Sequence, residues 1–414
     1  MSNKRIIQVE DKVPGKLLIP LTLQHMFAMF GASVLVPFLF GINPAIVLFM
    51  NGIGTLLFIV ITKGKAPAYL GSSFAFIAPA NIVISKFGYP YALGGFVAVG
   101  FCGCLLALII KKCGTKWIDI VLPPAAMGPV VALIGLELSA TAANNAGLIG
   151  DNIQMANVWV FLITLGVAIF GNICFRKFLS VIPILIAIIC GYIAAICFGL
   201  VDFTTVANAP LFAIPNFSTP KFDINAILMI LPVLLVITSE HIGHQIVTGK
   251  IIGKNLLEDP GLHRSLFGDN FSTMISGFIG SVPTTTYGEN IGVMALSKVY
   301  SVYVIAGAAV IAVLMSFIGK LSALLHSIPT PVLGGLSIAL FGVIAASGLK
   351  ILVEHKIDFD NKKNLLIASV ILVSGIGGLM IDLGGLQITG VASSTILGIL
   401  LYQILPDPKK GSKD

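Results

Sequence analysis

Charge is what this chain has little of. Asp, Glu, Lys and Arg make up only 10% of its 414 residues, against about 25% in soluble globular proteins. That scarcity excludes an ordinary soluble domain. The six cysteines, Cys102, Cys104, Cys113, Cys174, Cys190 and Cys197, contain no C-x-x-C pair, so neither a zinc site nor a disulfide framework is indicated. They read as small apolar packing residues. The first sixteen residues lack the apolar core and small-residue cleavage site of a signal peptide. The first spanning helix is therefore expected to direct insertion.

What the chain has instead is apolar length. It is 57% hydrophobic, with a mean hydropathy of +1.00. Apolar runs recur throughout, many near the ~20 residues needed to cross a bilayer as helix. Hydropathy predicts an all-α polytopic membrane protein with fourteen transmembrane segments. They lie near residues 17–40, 44–62, 69–85, 90–110, 121–143, 156–175, 179–199, 224–248, 266–280, 287–297, 301–319, 329–348, 364–383 and 388–406. The net charge is +7. With the N-terminus in the cytoplasm, 22 of the 25 Lys and Arg residues fall on the cytoplasmic side. Only Lys86, Lys221 and Lys320 fall outside. This is the positive-inside bias. It places both termini in the cytoplasm and makes the basic charge topological, not a surface for nucleic acid.

Two of these segments are irregular. The third holds Leu-Gly-Ser-Ser-Phe-Ala-Phe-Ile-Ala-Pro (70–79), and the tenth holds Pro-Thr-Thr-Thr-Tyr-Gly-Glu-Asn-Ile-Gly (283–292). Gly, Pro, Ser and Thr interrupt both. Non-helical backbone at membrane depth survives only where protein or a cavity satisfies it. The two broken segments are seven apart, as two inverted seven-span repeats would place them. Broken segments at matching positions of two halves point to a transporter's substrate site.

Two carboxylates accompany these breaks. Glu240 lies in the eighth segment and Glu289 in the tenth. A charged side chain at the bilayer centre costs about 2.5–3.5 kcal/mol even on lenient insertion scales, so acids there mark a functional site. His244 stands at i+4 from Glu240, on the same helix face, and is expected to orient it. His241 points roughly 100° away. Glu289 follows Gly288, whose missing Cβ lets a ligand approach the backbone, and precedes Asn290. On the third segment, Ser73 and Phe74 follow Gly71. Phe74 and Tyr287 offer planar faces. Acceptors, freed amide donors and rings together suit a flat, neutral heterocycle. They suit an inorganic anion poorly, because two acids would repel it. A carboxylate that is dry in one conformation and wet in another exchanges its proton between them. Glu240, His244 and Glu289 are therefore the expected proton-coupling residues. Gln24 and His25 lie mid-segment in the first helix and are expected to brace the site. Glu137 and Asp382 are expected at solvated outer ends, and Asp269 as a helix cap.

These residues resemble the nucleobase–ascorbate transporters, also called nucleobase-cation symporter family 2. The resemblance covers nearly the whole chain. It is carried by Leu-Gln-His-Met-Phe-Ala-Met-Phe-Gly-Ala (23–32), Pro-Ala-Tyr-Leu-Gly-Ser-Ser-Phe-Ala-Phe (67–76) and Pro-Pro-Ala-Ala-Met-Gly (123–128). It continues in Glu-His-Ile-Gly-His (240–244), Asp-Pro-Gly-Leu-His-Arg-Ser (259–265) and Thr-Tyr-Gly-Glu-Asn-Ile-Gly-Val-Met-Ala (286–295). The resemblance implies short antiparallel strands in segments three and ten. It implies a core domain from residues 1–113 and 222–320, and a gate domain from 114–200 and 327–406. Glu at 289 points to the uracil branch. By resemblance, Glu240 and Glu289 accept hydrogen bonds from uracil N–H groups, and the amides of Phe74 and Gly288 donate to its carbonyls. His244 contributes through water, and Tyr287 and Ala32 line the pocket. The implied activity is uracil–proton symport in a bacterial inner membrane by an elevator-like shift, as a homodimer, with no cofactor beyond the proton. Ser297-Lys298, Phe341 (where the resemblance expects tyrosine) and Asp269 (where it expects a neutral residue) are departures.

Other readings remain weaker. Another nucleobase, such as xanthine or thymine, would fit the same architecture. An anion exchanger of this fold should carry a basic or neutral group at position 289. An intramembrane metallohydrolase using Glu240, His241 and His244 lacks the His-Glu-x-x-His spacing and a third ligand.

Overall fold

The computed structural model describes residues 6–115, 117–150, 153–176, 179–382 and 387–406. The protein is mostly helical. Proline at the first turn starts several helices, among them Pro44–Ile61, Tyr89–Cys113, Pro124–Glu137, Pro183–Cys197 and Thr330–Glu354. There the missing N–H is one that the helix could not pair anyway. Asn43 also caps Pro44–Ile61, and Asp223, Ser301 and Asn361 cap other starts, each through a side-chain oxygen. Gly253 and Gly280 close the helices Val233–Ile252 and Leu262–Ile279 in the left-handed conformation.

Among the described residues, seven helical stretches are long and apolar enough to cross a membrane. They are Gly15–Leu39, Pro44–Ile61, Tyr89–Cys113, Pro124–Asn145, Met155–Cys174, Ile224–Ile252 and Thr330–Glu354. Four shorter apolar helices add to them. Large apolar side chains such as Val60, Phe101, Trp159, Phe170, Ile173 and Val353 lie on the outside. So much exposed apolar surface marks a face that meets lipid rather than water. The chain is a multi-pass membrane protein.

Several segments depart from the continuous helices that hydropathy predicts. The eighth is split into Ile224–Ile230 and Val233–Ile252, around Pro232, which cannot donate to the preceding turn. The fifth divides at Leu138 into Pro124–Glu137 and Ser139–Asn145. The ninth begins at Leu262, earlier than expected. Asp269 is thus mid-helix and buried, not a cap. The thirteenth ends at Ile376, where Gly377-Gly378 turns the chain with Gly378 at φ 70°. Met380–Asp382 and Gln387–Thr389 then form an antiparallel pair.

The helices pack in two interleaved sets. Tyr89–Cys113 lies against Leu262–Ile279, and Pro44–Ile61 against Val302–Ser316. Pro124–Glu137 lies against Thr330–Glu354, and Met155–Cys174 against Pro183–Cys197. Close crossings need glycine. A Cβ on Gly100 would stand 2.5 Å from the Met274 amide nitrogen, and one on Gly277 would stand 2.7 Å from Val97 Cγ2. Small residues at such crossings let helix backbones approach in a bilayer, where hydrophobic attraction between helices is absent.

Candidate functional site: a cavity at a two-stranded ribbon

The strands β1 (Leu70–Ser72) and β2 (Thr284–Thr286) pair antiparallel, with Leu70 opposite Thr286 and Ser72 opposite Thr284. The ladder continues past both ends: Ser73 N–H donates to Pro283 O and Tyr287 N–H to Tyr69 O, each at 2.9 Å. A two-stranded ribbon leaves its outer edges unpaired. Here threonine hydroxyls cover them. Thr55 Oγ1, from Pro44–Ile61, accepts the Leu70 N–H at 2.9 Å. Thr273 Oγ1, from Leu262–Ile279, donates to Thr284 O at 2.7 Å and accepts the Thr284 N–H at 3.2 Å. Each strand is held by the helix that precedes it.

Short helices leave the ribbon on both sides. A 3₁₀ turn, Phe74–Phe76, follows β1, and the helix Gly288–Ser297 follows β2. The first N–H groups of such helices have no intrahelical partner, and they carry the positive end of the backbone dipole. Phe74, Gly288 and Glu289 all border one cavity of about 670 Å³, together with Glu240, His244 and Tyr287. That lies within the ~300–1,000 Å³ typical of small-molecule sites. Six residues singled out in the sequence thus face one space.

Each side chain has a local reason for its place. Glu289 sits in the first turn of its helix. Glu240 and His244 lie on Val233–Ile252, both half-buried. His244 Nδ1 is 3.0 Å from Thr286 Oγ1, which fixes the ring on β2 rather than on Glu240. A Cβ on Gly288 would be 3.4 Å from His244 Nε2, so the imidazole stands close against that glycine. The Tyr287 ring covers Gly71 across the ribbon, where a Cβ would stand only 2.2 Å from the ring carbon Cζ. Phe74 meets Phe341 edge to face, with centroids 5.9 Å apart. Phe341 belongs to Thr330–Glu354, so this contact joins the two helix sets.

Other expected residues lie behind the cavity. Ala32 and Ser73 are buried in the surrounding packing. Asn290 Nδ2 donates to His25 O at 3.0 Å and meets His25 Nδ1 at 3.2 Å, which braces the Glu289 helix against the first helix. Gln24 is buried on that first helix. Asp269 Oδ2 is 3.4 Å from His241 Nδ1, both almost fully buried. Glu137 differs from expectation: its Oε2 is buried without a hydrogen-bond partner, and Gly390 packs on its carboxylate.

The sequence matches the Permease family over residues 16–384. It is 54% identical over 403 residues to a uracil permease of Paenibacillus larvae subsp. larvae, covering 96% of each chain. It is 52% identical over 404 residues to a uracil permease of Escherichia coli K12, covering 97% of this chain and 94% of the other. The chain belongs to the permease family. It is a transporter rather than an enzyme. The permease also shares its fold with the transmembrane domain of a cyanobacterium bicarbonate transporter, BicA, at TM-score 0.63 and 15% identity, covering 96% of this chain and all of the other. With the inward-facing murine anion transporter Slc26a9 the TM-score is 0.73 at 11% identity, covering 95% of this chain and 69% of the other.

The permease cavity also has residues that sequence reasoning passed over. Thr285, Thr286 and Gly243 line it beside the acids. The run of three β-branched threonines at 284–286 was the available signal. Away from the ribbon, the cavity reaches Ser347, Lys350, Glu354 and His355, all exposed. These lie at the C-terminal end of Thr330–Glu354, which carries Lys350.

Proposed function

We propose that this permease carries uracil into the cell together with protons. The observation that supports this most directly is the convergence of Glu240, Glu289, Phe74 and Gly288 on one cavity. Two carboxylates can accept the two ring N–H groups of uracil. The unpaired amides at the starts of the Phe74 and Gly288 helices can donate to its two carbonyls. Nothing in that set requires a charged substrate, and the two acids disfavour the inorganic anions carried by transporters of the same fold. The near full-length likeness to uracil permeases points the same way. Glu240 shares its surroundings with the carboxyl groups of Asp269 and Glu289, and it faces a cavity that reaches exposed residues. On this reading Glu240 with His244 carries the proton, Glu289 reads the base, and the coupling ion needs no cofactor.

The same reading includes the architecture. Fourteen segments form two inverted seven-span repeats. Residues 1–113 and 222–320 form a core that holds the ribbon, and 114–200 with 327–406 form a gate. The core slides past the gate in an elevator-like step, in a homodimer, in the bacterial inner membrane with both termini cytoplasmic. The duties of Thr55 and Thr273 support the repeat, since each secures the strand that follows its own helix. The interleaved packing of the two helix sets supports the division.

Uptake of labelled uracil into proteoliposomes with an imposed proton gradient tests the reading. Uptake should rise with the inward gradient and fall with a protonophore. Uptake indifferent to both would remove proton coupling. Competition by thymine and xanthine would reveal a different base preference. Glu240→Gln and Glu289→Gln should each abolish uptake while leaving folded protein, and wild-type uptake by either would refute the site.

A further inference from the structure

Residues 7–11 do not trail from the first helix. Ile7 forms a parallel bridge with Val299, and residues 8–11 then turn, with Asp11 N–H donating to Gln8 O at 3.2 Å. Ile7 N–H donates to Lys298 O at 3.1 Å, Tyr300 N–H to Ile7 O at 2.9 Å, and Val302 N–H to Val9 O at 3.0 Å. Ser301 Oγ donates to Asp11 O at 2.6 Å. Val9 is wholly buried between them. From the same segment, the Glu10 carboxylate meets Lys254 Nζ at 2.5 Å.

The placement of these contacts gives the segment a role. Residues 298–302 begin at the C-terminal end of Gly288–Ser297, the helix of Glu289. Lys254 follows Gly253, the residue that closes Val233–Ile252, the helix of Glu240. One short segment thus touches the far ends of both acid-bearing helices. The need is greatest for Gly288–Ser297. It has ten residues, and isolated helices shorter than about 12–15 residues are marginal. Its N-terminal end is fixed by β2 and by the His25–Asn290 contact. Its C-terminal end is met by the 7–11 segment, which continues into the helix bearing His25. The Glu289 helix is therefore tied to the N-terminal part of the chain at both ends.

We propose that residues 7–11 are a positioning strap for the substrate site: they hold the Glu289 helix in register with the Glu240 helix, with Val9 and Glu10 as the positioning residues. This rests on the reading of Glu240 and Glu289 as the uracil site. The strap has no contact with the cavity, so its effect reaches the substrate only through those helices.

The test uses full-length protein with Val9→Asp, Val9→Ile, Glu10→Lys and the swapped pair Glu10→Lys/Lys254→Glu. Amide exchange across 289–297 is measured without ligand, and uracil affinity alongside. Val9→Asp should speed exchange across 289–297 while the amides of Pro124–Glu137 keep wild-type protection. Uracil Kd should rise roughly ten-fold, the size expected when one or two net hydrogen bonds are lost. Val9→Ile should behave as wild type, and the swapped pair should recover what Glu10→Lys alone loses. Unchanged exchange across 289–297 in Val9→Asp would overturn the strap. So would a general loss of protection throughout the molecule, which would make the segment merely structural. If wild-type protein does not bind uracil while the exchange result stands, the site reading fails and the strap does not.

Discussion

At Gly71 the side chain is a single hydrogen because the Tyr287 ring occupies the space a Cβ would need. Gly71→Ala should push that ring off the ribbon at a cost of about 1–3 kcal/mol, as overpacking does. Thermal melting in detergent and uracil binding would both register it; an unchanged Kd would show that the ring does not shape the site. Glu10 carries a pH dependence. Its hydrogen bond to Lys254 holds the carboxyl below the usual carboxylate range. A group whose folded pKa is depressed stabilises the fold above its unfolded value, and that contribution is lost as pH falls through the folded value. The 299–302 amides should therefore keep their protection, relative to unstructured amides at the same pH, at neutral pH and lose part of it in acid, a trend that Glu10→Gln should abolish. At this scale Glu240 and Glu289 were legible because acids are conspicuous in apolar sequence. Thr55 and Thr273 were not, because a threonine in an apolar helix looks like packing until the backbone it serves is seen.

The ribbon is the element that makes two interrupted segments viable. Thr55→Val and Thr273→Val keep shape and β-branching but leave strand polar groups unpaired in a dry setting. Each should destabilise by about 1–3 kcal/mol, the usual penalty for a buried group left without its partner. Equal melting temperatures for wild type and both variants would mean water replaces the hydroxyls. The breaks themselves could be read from Gly, Pro, Ser and Thr at 70–79 and 283–292. The division of the eighth segment was missed because hydropathy sums side chains and does not register the donor that Pro232 lacks. The pair Met380–Asp382 and Gln387–Thr389 was missed for a similar reason: its apolar residues continue the hydropathy of the helices on either side.

Across the whole molecule, hydropathy gave the membrane class, and the exposed apolar belt agrees with it. Segment number is harder to read from length, because seven helical stretches meet a spanning criterion while others are short or broken. Side-chain pairing between the helix sets, such as Phe74 with Phe341, left no trace in composition. The direction in which the cavity opens is testable at Ser347, which lines its exposed end. In a background with the six native cysteines replaced, Ser347→Cys should react with an impermeant thiol reagent from the cytoplasmic face, and uracil should slow the reaction. Labelling from the opposite face alone would reverse the orientation. The pairing of Leu70 with Thr286 bears on biogenesis as well. Synthesis at ~5–20 residues per second leaves β1 waiting roughly 10–40 s for a partner encoded about 200 codons later. Until then the translocon or a chaperone must shelter its open edge. Chains terminated before residue 284 lack that partner altogether, and quality-control proteolysis should clear them however well their earlier helices have inserted.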